Sequence, residues 1–162
     1  MSNPYHFDSS DPNAVRFQTS HGIGYLVYFL PSPDFFADYP EFSEDAVTFG
    51  LAVEENPLAH LPKDARIGET IRVVLRGYFQ QNPTGILLFT IDNKDKRQAA
   101  RKKLFDRWYE QENSLGIERK SGIVAKGPHE TSFGLFYNAK HPHKGLIIAS
   151  VESFLLEMKG KE

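Results

Sequence analysis

Ile86-Leu87-Leu88-Phe89-Thr90-Ile91 is a nearly unbroken apolar run. Such a strand has no polar face to offer water, so it belongs in the middle of a sheet with cover on both sides. Before it, Ile67, Ile71, Val74, Leu75, Tyr78 and Phe79 recur at helical spacing. That pattern predicts a helix over Ile67 to Gln81. It stops at Asn82-Pro83, because proline lacks the amide a continuing helix would need. A helix leading straight into a buried strand requires a layered fold.

The other elements follow from shorter patterns. Val15, Phe17 and Thr19 alternate with Arg16 and Gln18, and His21-Gly22 turns the chain into Gly24 to Leu30. This predicts an antiparallel hairpin. Val47, Phe49, Leu51 and Val53 alternate with small residues and predict a third strand. Ile117 to Val124 and Ser132 to Tyr137 predict a second hairpin, with Gly127-Pro128 in its turn. Ile147, Val151, Phe154, Leu155 and Met158 mark a C-terminal helix over Gly145 to Lys159. With a helix over Lys96 to Gln111, the expected architecture is one α+β domain over residues 1–162. Its mixed, mostly antiparallel sheet is packed by three helices.

Composition narrows the function. The chain has 162 residues, enough for one domain with a real core. A formal net charge of −2 argues against bulk, charge-driven nucleic-acid binding. With no cysteine, disulfides, thiolate chemistry and Cys-containing zinc sites are excluded. No apolar run approaches the roughly 20 residues a membrane-spanning helix needs. The first residues lack the charged start and apolar run of a secretory signal, so the expected location is cytoplasmic.

The segment after the buried strand carries the most chemistry. At about 100° per residue, Ala100, Leu104 and Trp108 share one stripe, with Arg97 inside it and Arg101 at its edge. A guanidinium does not shed its proton, so a buried one needs a carboxylate or a bound anion. Arg97 and Arg101 are therefore candidate anion-binding residues. The commoner source of such a pattern is an internal ion pair, here with Asp92, Asp95 or a distant glutamate. The wider basic run Lys94 to Lys103 is also what a solvated helix face looks like.

Two resemblances arise. Asp95, Arg97-Gln98, Arg101, Leu104-Phe105 and Trp108, preceded by the Ile67 to Phe79 helix, resemble an uncharacterised family of small bacterial proteins, which implies no activity. The order of elements resembles the GNAT-type acyltransferase topology without its first helical pair. That resemblance implies an acyl-coenzyme A, such as acetyl-coenzyme A, held between the strands Val47 to Val53 and Ile86 to Ile91. It implies pyrophosphate binding by backbone amides at a helix start, here Arg66, Ile67, Gly68 and Glu69. It also implies a general acid, for which Tyr137 is the candidate. The family's loop is Gln or Arg, two residues, Gly, one residue, then Gly or Ala. This chain has Lys63, then Arg66 where the first Gly stands, then Gly68, with Asp64 beside a proposed anion site.

Phe35, Phe36, Tyr39 and Phe42 crowd a proline-rich loop that either lies on the sheet or meets a partner. His141-Pro142-His143 is read as a turn after a strand, since further metal ligands at a telling spacing are missing. The functional expectation is a module for a small anionic ligand or a protein partner. The alternatives are an acyl-coenzyme A-dependent N-acyltransferase and a nucleic-acid-binding or toxin-like partner protein.

Overall fold

The computed structural model describes residues 3–92, 116–125 and 131–160. Seven strands form one sheet: β1 (Phe7–Asp11), β2 (Ala14–Gln18), β3 (Gly24–Pro31), β4 (Ala46–Glu55), β5 (Ile86–Asp92), β6 (Ile117–Ala125) and β7 (Thr131–Asn138). Their order across the sheet is β1-β2-β3-β4-β5-β7-β6. All neighbours are antiparallel except β4 and β5, which run parallel. Helix α1 (Ala65–Gln81) connects those two strands, and α2 (Lys144–Gly160) follows β7.

This corrects the expectation of a sheet packed by three helices. Among the described residues the fold is a seven-stranded mixed sheet with two α-helices, one on each face, and sheet predominates. The helix expected over Lys96 to Gln111 lies outside the described residues. Among the described residues, much of the cover on the α2 face comes from the aromatic loop between β3 and β4. Strand β1 was also not expected, because Phe7 is its one inward-facing hydrophobic residue.

Each face has its own core. On the α1 face, Ile71, Val74, Leu75 and Phe79 of the helix cover Phe17, Tyr25, Val27, Phe29, Phe49, Leu87 and Phe89. Their helical spacing and the period-two alternation along the strands put both sets at one interface. On the α2 face, Ile147 and Val151 meet Ile86, Leu88, Phe133, Leu135 and Tyr137. Strand β5 is buried on both sides, as its unbroken apolar run requires. In the β2–β3 turn, Gly22 has φ 79°, a conformation that glycine takes without a Cβ clash.

The aromatic loop folds onto the α2 face. Phe36 and Phe42 are 2% and 1% exposed, with their rings edge-to-face at 4.9 Å. Phe35 stacks on Phe133 at 5.2 Å and meets Phe154 edge-on at 5.3 Å. Aromatic pairs in these arrangements add to the burial of their area. Phe36→Ala is therefore expected to cost about 3–5 kcal/mol in urea unfolding, with an unchanged denaturant slope. A cost below about 1 kcal/mol would mean that the loop is no part of the core.

Candidate functional site

The parallel junction of β4 and β5 is short. Their register runs Ala46↔Ile86, Val47↔Leu87 and Thr48↔Leu88 and then ends. Yet β4 continues to Glu55, paired with β3 on its other side, and β5 continues to Asp92, paired with β7 on its other side. The strands part toward their C-terminal ends. Because α1 leaves the end of β4 and returns to the start of β5, its first turn lies at this parted end. On the α2 face, β4 presents Thr48, Gly50 and Ala52 there, so the floor beside the opening has small side chains. Tyr28 of β3 lies over Gly50, where a Cβ would fall 2.1 Å from its hydroxyl.

The first turn of α1 brings Arg66, Ile67, Gly68 and Glu69 together and ties them to the N-terminal segment. Asp64 caps the helix, one carboxylate oxygen accepting from the Arg66 amide at 3.0 Å. Its other oxygen accepts from the Tyr5 hydroxyl. The Ile67 amide donates to the Asp64 carbonyl at 3.2 Å. Arg66 lays its guanidinium 3.8 Å over the Tyr5 ring and donates from Nε to the Asn3 carbonyl at 2.8 Å. Glu69 accepts from the Asn3 amide, and Thr70 Oγ1 accepts from the Tyr5 amide at 2.8 Å. Residues 3–5 thus form a strap across the helix start. Two of the amides proposed for a pyrophosphate are bonded within the protein, and a carboxylate stands beside them.

Tyr137 is not part of this group. It sits on the other face of the sheet, 2% exposed, with Phe36, Phe42, Ile86 and Ile147 in the same core. Arg97 and Arg101, with the basic run and Trp108, lie outside the described residues.

The closed end of the junction has its own polar cluster. The His141 side chain is fully buried. Its Nδ1 accepts the His143 amide at 3.0 Å, which leaves the proton on Nε2. Nε2 donates to the Thr84 carbonyl at 3.0 Å and stands 3.5 Å from Asp45, while Thr84 Oγ1 donates to Asp45 at 3.2 Å. An Asp–His pair invites a catalytic reading. Here both ring nitrogens are used within the fold and the ring reaches no solvent, so the pair ties β4, β5 and the exit of β7 together. Nearby, burial first and Asp45 second push the Tyr78 phenol up to about 12, so it is a neutral hydroxyl at physiological pH.

Residues 63–125 match the sequence model of a family of unknown function, DUF6169. The matched stretch begins at the cap of α1 and ends with β6. It therefore spans the helix start, β5 and the arginine run. No curated protein and no solved structure matches the chain.

Sequence reasoning did not find the strap. Asp64 before an apolar-periodic segment is a legible helix cap, but the reach of Asn3 and Tyr5 across more than sixty positions leaves no local mark. Asp64→Ala is expected to lower stability by about 2 kcal/mol, combining the lost cap with the lost Tyr5 bond. In a double-mutant cycle with Tyr5→Phe, the combined loss should fall short of the sum; strict additivity would show that the two do not act together.

Proposed function

We propose that this chain is a small-ligand-binding module whose ligand enters, extended, between β4 and β5. The observation that carries this reading is the three-pair parallel junction followed by two strands that continue apart. Strand edges inside a sheet present amides and carbonyls that need partners. An elongated molecule bearing its own amides satisfies them as a missing strand would. The pantetheine arm of an acyl-coenzyme A is such a molecule, and it is the ligand that the acyltransferase resemblance implies.

The start of α1 favours binding over acyl transfer. Asp64 occupies two of the four amides that would hold a pyrophosphate, and Tyr137 lies beyond the sheet from that helix. In this reading the arm supplies most of the affinity. Arg97 and Arg101, which follow β5 in the sequence, are assigned to an anionic end of the ligand. A protein-partner role loses its best support, since Phe36 and Phe42 of the aromatic loop are core residues.

Thermal unfolding with acetyl-coenzyme A, coenzyme A, pantetheine, inorganic phosphate and a short oligonucleotide tests the reading. A ligand at a hundred times its dissociation constant stabilises the native state by about 2.7 kcal/mol. The expected result is a rise of several degrees with pantetheine and coenzyme A that phosphate does not reproduce. Arg97→Ala should remove the advantage of coenzyme A over pantetheine. No rise with either pantetheine or coenzyme A would overturn the proposal.

A further inference from the structure

A cavity lies at the opposite end of α1. It is a cleft of about 510 Å³ between the C-terminal half of the helix and the β1–β2 hairpin, a volume in the range of small-molecule pockets. Its inner wall is apolar, formed by Phe7, Val15, Phe29 and Val47 from the sheet and by Val73 and Val74 from the helix. Tyr78 extends this wall, its ring parallel to Phe29 with centroids 5.2 Å apart and 3° between the planes.

Gly77 is the unexplained residue of this cleft. It sits inside a helix, where glycine is the poorest former after proline. Its φ is not in the left-handed region, and a Cβ added there would meet nothing within 4 Å. Neither backbone geometry nor packing against the described residues requires glycine here. What glycine does provide is a bare stretch of helix backbone facing the cleft, with room for a ligand to lie against it.

The charge of the cleft is one-sided. Asp11 brings a carboxylate, oriented by accepting the Asn13 amide at 2.8 Å. Ser9, Gln81 and Asn82 add neutral polar groups, and among the described residues of the lining there is no lysine, arginine or histidine. The last turn of α1, whose carbonyls form the negative end of the helix dipole, carries no basic residue. An anion is disfavoured in such a place and a cation is favoured.

We propose that this cleft is a binding site for a small amine with a flat apolar body, its ring against Tyr78 and the bare backbone of Gly77 and its ammonium group toward Asp11. This site is separate from the opening between β4 and β5, and the proposal stands whether or not that opening binds a ligand.

The test is a titration of the full chain, followed by amide chemical shifts, with phenethylamine, phenethyl alcohol and hydrocinnamate, which share a ring and differ in charge. Phenethylamine should shift amides in residues 9–13 and 73–82. The alcohol should bind about fivefold more weakly, the loss of one partly solvated ion pair, and hydrocinnamate should bind least. Asp11→Asn, which keeps an acceptor for the Asn13 amide, should bring the amine down to the affinity of the alcohol. Gly77→Leu should abolish binding of the amine without lowering the unfolding temperature. Three results would overturn the proposal: hydrocinnamate binding as well as the amine, shifts that fall outside the two segments, or an amine affinity unchanged by Gly77→Leu.

Discussion

Three parallel register pairs hold the two halves of this sheet together. Strands β1 to β4 form one antiparallel unit and β5, β7 and β6 another, and among the described residues their ladders are joined only where Ala46, Val47 and Thr48 face Ile86, Leu87 and Leu88. A parallel pair is slightly weaker per residue than an antiparallel one and needs a crossover connection, here α1. The junction therefore depends on what packs over it. Ile71, Val74 and Leu75 lie on one side, and the folded aromatic loop and α2 on the other.

The two ends of the junction are held by different means. At the closed end, His141, Asp45 and Thr84 form a buried polar clamp, and the aromatic loop packs nearby, the Phe42 ring 6.5 Å from that of His141. At the parted end, hydrogen bonds between strands give way to the strap, in which residues 3–5 bind the first turn of α1 through Asp64, Arg66, Glu69 and Thr70. A sheet anchored at one end, with its crossover helix strapped at the other, can leave two strands unpaired there without losing its core. That is the physical basis for reading the opening as a place for a ligand rather than as a flaw in the ladder.

How much of this was legible in the sequence depended on whether the signal was local. The run Ile86 to Ile91 declared a strand buried on both faces, and the 3.6-residue spacing from Ile67 to Phe79 placed α1 almost to the residue. The alternation around Phe17, Val27 and Phe49 marked β2, β3 and β4. Strand β1 escaped because an edge strand reading Phe-Asp-Ser-Ser-Asp shows one inward hydrophobic residue and hence no period. The cover of the α2 face was misjudged for the same kind of reason. A stripe of apolar residues says that a segment seeks cover, not which element will cover the sheet, and the Phe35 to Phe42 loop takes much of that role on the α2 face. The site was legible in composition more than in arrangement. Arg66 to Glu69 do form one turn, but the polarity of that turn is set by Asn3, Tyr5 and Asp64, and Tyr137 stands on the other side of the sheet. Contacts spanning more than sixty positions leave no periodic trace.

The most direct measurement of the central claim is amide hydrogen exchange along β4 in the ligand-free protein. If the strands part after Thr48, every second amide between residues 50 and 55, those turned toward β5, should exchange quickly, while the intervening ones bonded to β3 stay protected. Uniform protection across this stretch would mean that the edge is already filled, and that no opening exists between β4 and β5.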